Sequence, residues 1–297
     1  MREPRRITVN VEQPVAPVAT ARPRAARQPR AVVPPKRRRG FFGTIFRWTW
    51  ILTLIVVCSL VLWIGFEYLT FPNIAELRDN NPTTTSMIEY RAAEARAEGR
   101  EPRRLHQWVN IERISPNLQR AVLAGEDSNF TTHNGFDWAA IQRAWEEAQR
   151  EAEKEAKAEG DNDPNDWIPQ MPNFKRGAST ITQQLAKNLY LSEERSFLRK
   201  GREAAITYFL ERELSKRRIL EIYLNVIEWG DGIYGAEAAA RHYFRKSSAD
   251  LTAQEAAYLS AMIPSPLNVF NPSKNPKRVA RRQRVVAKGM RFVKLPE

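Results

Sequence analysis

Nineteen consecutive residues, Trp48 to Phe66, carry no charge and are rich in Leu, Ile, Val and Trp. As a helix the run spans roughly 28 Å at about 1.5 Å per residue, close to the hydrocarbon thickness of a bilayer. Lys36-Arg-Arg-Arg39 and Arg47 precede it and Glu67 follows. The positive-inside rule therefore places the N-terminus in the cytoplasm and the bulk of the chain outside. A cleaved signal peptide is the alternative. The run is longer than a signal core, no small-x-small cleavage pattern follows it, and 47 residues precede it, so the pattern predicts an uncleaved single-pass anchor over 48–68. The only cysteine, Cys58, lies inside the span, and the extracytoplasmic part must be stable without an intrachain disulfide.

The formal net charge of +13 invites a nucleic-acid reading, and its distribution removes it. Residues 1–47 hold 12 Arg and Lys against Glu3 and Glu12, leaving 35 basic against 32 acidic residues for the rest. The excess is a basic, Pro- and Ala-rich cytoplasmic tail without periodicity, expected to be disordered, and nucleic acid is not a partner of the folded part. Residues 69–104 read as a connector with a short helix near 91–98. Beyond Ser115, helical spacing dominates, with helices expected over 180–190, 199–214, 216–225, 234–242 and 252–263. Trp138 to Gly160 begins amphipathically (Trp138, Ile141, Trp145) and continues as a solvated Glu/Ala/Lys helix, and 161–176 reads as a mobile loop. The fold class is mainly α.

Three segments carry chemistry. Leu118, Ala121, Val122 and Gly125 recur at helical spacing and lead into Glu126-Asp127-x-x-Phe130-x-x-His133-x-Gly135-Phe136-Asp137. A buried helix delivering two carboxylates into a Gly-containing turn is unfavourable unless they are paired, a cost usually met at a site. Next, Gly177-Ala-Ser-Thr-Ile-Thr-Gln-Gln-Leu-Ala-Lys-Asn188 places Thr180, Gln183, Gln184, Lys187 and Asn188 opposite an apolar face. It reads either as a solvated face with a Thr180/Gln183 capping box or as an anion site. Third, Glu203 falls within the apolar stripe Ile206, Leu210, Leu214, where it must be neutral, paired or functional. A structural ion pair with Arg199, Arg202 or a distant arginine is the plain alternative. Glu126 and Glu203 together suggest carboxylate chemistry at a sugar. Metal ligation by Glu126, Asp127, His133 and Asp137 matches no standard spacing, and His133 is better read as bonding the turn.

In this order behind one anchor, these motifs resemble the bacterial peptidoglycan glycosyltransferases. Arg199-Lys200-x-x-Glu203 is similar to the family's third motif, and Arg218-Ile-Leu-Glu-x-Tyr223-Leu-Asn225 to the fourth. The likeness covers roughly residues 105–270, and implies a lysozyme-like glycosyltransferase domain over 105–275 with a basic segment, 276–297, after it. It implies polymerisation of lipid II into β-1,4-linked glycan with inversion, Glu126 acting as general base and Glu203 assisting departure of undecaprenyl pyrophosphate. Ser179, Thr180, Gln183, Gln184, Lys187, Asn188, Arg195 and Arg202 would bind substrate, and Asp127, Phe130 and Asn225 would shape the cleft. The partners implied are lipid II, the nascent glycan, the bacterial inner membrane and other cell-wall synthesis or division proteins. A divalent cation, Mg or Mn, on Glu126, Asp127 or Glu203 stays open as a cofactor. The link 146–176 is longer than usual for the family. With no Ser-x-x-Lys and no Lys-Thr-Gly, β-lactam-sensitive crosslinking is not expected.

Overall fold

The computed structural model describes residues 41–159, 179–191 and 196–297. The expectations for the tail before Phe41, the loop 161–176, Gly177-Ala178 and Arg195 lie outside them. The chain divides after Leu69 into two units. The described part of the first is helix α1 (Phe41–Leu69), 29 residues long, whose apolar side chains from Ile45 onward are largely exposed. The helix is long and apolar enough to cross a membrane. It outruns the uncharged stretch at both ends because no Pro interrupts Phe41–Arg47 or Glu67–Leu69.

The second unit, Thr70–Glu297, is helical with a small sheet. Helix α2 (Ser86–Ala97) starts before the stretch expected, because the Thr85 hydroxyl accepts from the Ile88 N–H and sets the N-terminus there. Helix α3 (Pro116–Glu126) begins at a Ser115 cap with Pro116 in the first turn, where its missing N–H is harmless. Helix α4 (Trp138–Glu159) follows, then α5 (Ile181–Tyr190), α6 (Phe197–Glu213), α7 (Lys216–Val226), α8 (Ala236–Phe244) and α9 (Ala253–Met262). These five lie within a few residues of the spans the periodicity predicts, since each carries its own cap or breaker. Short strands β1 (Leu105–His106), β2 (Glu228–Gly230) and β3 (Ile233–Tyr234) pair in the order β1-β3-β2, with β1 parallel and β2 antiparallel to β3.

Two expectations need correction. The basic segment 276–297 does not stand outside the domain: Pro276–Gly289 is helix α10, packed on α3 and α9. Its inward stripe consists of Val279 and Val286, seven residues apart, with Met290 just beyond, and the intervening arginines mask so thin a stripe in the sequence. The amphipathic start of α4 also does not bury its tryptophans. Trp138 is 72% exposed and Trp145 41%, while Trp138 stacks on Phe136 with ring centroids 5.7 Å apart.

Helix α3 lies at the centre, its Leu118, Ala121, Val122 and Leu123 fully buried. Each large aliphatic side chain so buried stabilises the fold by roughly 2 kcal/mol. Gly125 permits the close packing: a Cβ there would stand 2.6 Å from Ser260 Oγ on α9 and 3.3 Å from Val286 on α10. The last turn of α3 is thereby clamped between two helices, and Glu126 leaves it in one direction.

Candidate active site

The C-terminus of α3, helices α2 and α5, the α7–β2 junction, the segment after α9 and α10 surround a polar cavity of about 740 Å³. The Glu126 side chain forms part of its wall and is only 7% exposed. Its Oε2 accepts from Gln184 Nε2 at 3.0 Å, and its Oε1 from Arg282 Nη2 at 2.8 Å. The same Arg282 nitrogen donates to the Gly125 carbonyl at 2.9 Å, and the guanidinium lies over the Phe270 ring. Gln184 is in turn oriented by the Tyr223 hydroxyl, which donates to its Oε1 at 2.7 Å. Burial pushes the Glu126 carboxyl above the usual carboxylate range, opposed by the Arg282 charge and the two hydrogen bonds. Burial, and next the charge of Glu126, likewise raises the Tyr223 phenol. A buried carboxylate kept accessible to a cavity and poised upward suits a general base near neutral pH.

Ser179, Gln184, Lys187 and Asn188 line the same cavity and bring an ammonium and amides to its wall. Asn188 also donates from Nδ2 to the Gln184 carbonyl at 2.8 Å. Thr180 and Gln183 instead form the capping box: the Gln183 N–H reaches Thr180 Oγ1 and the Thr180 N–H reaches Gln183 Oε1. They hold the start of α5, and Thr180 Oγ1 ties it to the Gly135 carbonyl at 2.7 Å.

Asp127 turns away from the cavity. Its Oδ2 accepts the Ile181 N–H at 3.0 Å, at the N-terminus of α5, where a negative charge is favourable. Its Oδ1 receives His133 Nε2 at 2.9 Å. The Gly135 N–H donates to His133 Nδ1 at 3.2 Å, so the ring proton sits on Nε2 and faces Asp127. Gly135 has φ +87°, and a Cβ there would stand 2.7 Å from Thr207 Cγ2, so the turn requires glycine. Asp127→Asn is expected to destabilise by about 1–3 kcal/mol, because an amide satisfies only one of the two donors and opposes its NH₂ to the other. An unchanged urea midpoint would contradict this account.

The remaining nominated residues stand elsewhere. Asn225 is fully buried and saturated, exchanging hydrogen bonds with Val109 N–H and C=O at 3.0 and 2.9 Å, and donating to the Glu221 carbonyl. It clamps α7 to the entry segment and presents nothing to a ligand. Phe130 is 1% exposed beneath the Lys216 ammonium. Arg202 donates from Nη2 to the Thr70 carbonyl at 2.7 Å. Glu203 is buried on α6, bonded to Arg199 Nη1 at 3.0 Å and to Lys200, outside the cavity lining. The three carboxylates considered for a cation do not converge, since each is committed to a different partner. Among the described residues no three of His, Cys, Asp or Glu are placed to share an ion.

Sequence reasoning missed three members of the site. Arg282 sits on the inward face of α10, three residues from Val279 and four from Val286, a spacing that could have flagged it. Glu228 on β2 and Arg91 on α2 also line the cavity. Arg91 Nη2 and Nε donate to Glu228 Oε2 at 3.2 and 3.3 Å, and burial lifts the Glu228 carboxyl to about 7 against the opposing charge of Arg91. Their 137-residue separation leaves no local signal.

A family model described as Transglycosylase matches residues 94–160 and 168–291. The biosynthetic peptidoglycan transglycosylase of Thiobacillus denitrificans is 45% identical over 223 residues, 75% of this chain and 86% of the relative. That of Laribacter hongkongensis is 40% identical over 241 residues, covering 81% and 96%. That of Bordetella pertussis is 40% identical over 249 residues, covering 84% and 96%.

Proposed function

We propose, because this chain belongs to the peptidoglycan transglycosylase family, that it polymerises lipid II into β-1,4-linked glycan and releases undecaprenyl pyrophosphate. The family is one of enzymes that build cell wall. The observation that carries the finer reading is Glu126, buried at the wall of a polar cavity that also bears Lys187 and held between Gln184 and Arg282. In this reading Glu126 takes the proton of the acceptor sugar's 4-hydroxyl. The oxygen attacks the anomeric carbon of the donor as the carbon–oxygen bond to pyrophosphate breaks, with inversion and both electrons leaving on the pyrophosphate.

Lys187, Ser179 and Asn188 supply a cation and hydrogen-bond donors for the pyrophosphate, and Arg195 belongs to this set. Glu203 acts through the cations it pairs with, Arg199 and Lys200, aligning them for the departing phosphate. Thr180, Gln183, Asp127, Phe130 and Asn225 hold the walls in place, and Arg202 secures the start of the domain. The α6 N-terminus exposes Phe197 (87%) and Leu198 (68%) beside Arg199 and Lys200, a pattern suited to the headgroup region of an anionic bilayer. With α1 as anchor, the N-terminus is cytoplasmic and the catalytic unit works at the outer face of the bacterial inner membrane, where a polyprenyl-tethered substrate is held.

The test is incubation of the purified full chain, in detergent or bilayers, with labelled lipid II. Appearance of lysozyme-digestible polymer is the expected result. Absence of polymer together with cleavage of finished glycan would replace the transferase by a glycosidase.

A further inference from the structure

The outward side of α10 is a continuous basic face. Lys277, Arg278, Arg281, Arg284 and Lys288 are exposed, and none of them has a side-chain partner among the described residues. From Pro276 to Glu297 the chain holds eight Lys and Arg against one acid, Glu297 itself. At about 100° per residue the five cations fall within about 120° of the helix surface, and the buried Val279 and Val286 lie on the opposite side. Arg282 stands at the boundary between them, where it lines the cavity and bonds Glu126. Arg278, four residues before it, is its neighbour on the helix surface, so the basic face is continuous with the cavity wall. Lys277 and Arg281, Arg278 and Arg282, and Arg284 and Lys288 are like charges four residues apart, a mildly destabilising arrangement. The helix therefore carries a repulsion that a bound anion relieves.

We propose that this face is a docking surface for the carboxylate-bearing peptide of the disaccharide-peptide units whose sugars occupy the cavity. The assignment rests on the transferase reading above. From Lys277 to Lys288 the row extends roughly 16 Å at about 1.5 Å per residue. Cations spread over that length do not converge on a single phosphate; they suit an extended chain carrying several separated anionic groups. The peptide of lipid II is such a chain, and it is attached to the sugar that the cavity would hold. A bilayer surface matches less well. A helix lying among headgroups needs an apolar face toward the acyl chains, and α10 has committed Val279 and Val286 to the packing on α3 and α9. Exposed ion pairs are individually modest and form on binding, so their removal acts on KM more than on kcat.

The test is the combined variant Arg278→Gln/Arg281→Gln/Arg284→Gln/Lys288→Gln of the full chain, reconstituted in phosphatidylcholine bilayers. All four side chains are exposed, so its unfolding midpoint should match wild type. The expected result is a KM for lipid II raised about tenfold, with kcat within about threefold. With lipid II whose peptide carboxylates are amidated, the KM of variant and wild type should agree within about twofold. A variant KM for unmodified lipid II equal to wild type overturns the proposal. An equal rise with both substrates also overturns it, because the face then meets something other than the peptide. An effect that appears only in bilayers containing phosphatidylglycerol, and equally with both substrates, assigns the face to lipid headgroups and overturns it likewise. Should the combined variant fail to fold, Arg281→Gln/Arg284→Gln is expected to raise KM about threefold, and the absence of that rise is equally decisive. Titration with the soluble disaccharide-peptide separates the two readings. If wild type makes no polymer, the transferase reading fails. The docking surface fails if the soluble disaccharide-peptide binds wild type and the combined variant alike, and stands if binding weakens about tenfold in the variant.

Discussion

Glu126→Gln is expected to lower the rate of lipid II polymerisation by about 10²–10⁴-fold, the range for loss of a positioned general base. The amide has nearly the shape of the carboxylate and keeps an oxygen for the Gln184 Nε2 donor, so the cavity wall stays in place. Its NH₂ opposes Arg282, costing about 1–2 kcal/mol, while loss of a desolvated charge offsets part of that. The unfolding midpoint should therefore change little, and the substrate should still bind. Polymer yield per minute from labelled lipid II, with a parallel denaturant titration, separates chemistry from folding. Polymerisation within tenfold of wild type would remove Glu126 from the role of base.

The second large effect is expected at Arg282, which the sequence reading placed in the basic segment 276–297. Arg282→Met deletes a cation bonded to the Glu126 carboxylate. With burial already raising that carboxyl, loss of the opposing charge must raise it further. A base is active only when deprotonated, so the acid limb of the pH–rate profile moves to higher pH. Each unit of that movement lowers the ionised fraction about tenfold on the acid side of the profile. The turnover number at pH 7 should fall about 10–100-fold and recover in part toward pH 9. Arg282→Lys, which keeps the charge, should restore most of the profile. A uniform loss at every pH would mean that Arg282 serves only to hold α10 against α3. The stability sign is the reverse of that for a salt-bridged acid. A carboxyl raised in the folded state binds protons the unfolded chain has lost. It therefore adds stability at low pH that fades as pH rises through its folded value, and Arg282→Met should steepen that decline.

The candidate spanning helix was legible because a bilayer demands an unbroken apolar run, and Trp48 to Phe66 meets that demand by composition alone. The helices α5 and α7 were legible because each pairs a clear apolar face with a Ser or Thr cap within its own few residues, and α9 because a capping box opens it and Pro264 stops it. Glu126 was legible for a similar local reason, standing where a buried stripe runs into a polar, Gly-containing turn. Thr180 and Gln183 stand at a spacing that suits both a helix cap and a binding group, and spacing cannot choose between them. The structure commits both side chains to the cap. Asn225 looked like a cleft residue through the motif it belongs to, yet its amide is consumed by Val109 and Glu221.

Helix α10 shows where local reading stops. Two valines seven residues apart are a weak stripe among arginines, and they become an inner face only because α3 and α9 present a groove to receive them. From the sequence by itself came a helix long and apolar enough to span a membrane, the helical class and Glu126 as a candidate site carboxylate, since these depend on hydrophobic length, periodicity and charge within a single turn or run. Only the tertiary structure decided which charges Glu126 meets, that Glu203 is answered by its own helix, and that Arg91 and Glu228 share the cavity. The Glu126–Arg282 and Arg91–Glu228 pairings join residues more than a hundred positions apart across packed elements, where burial multiplies the strength of each charge and no local pattern records the contact.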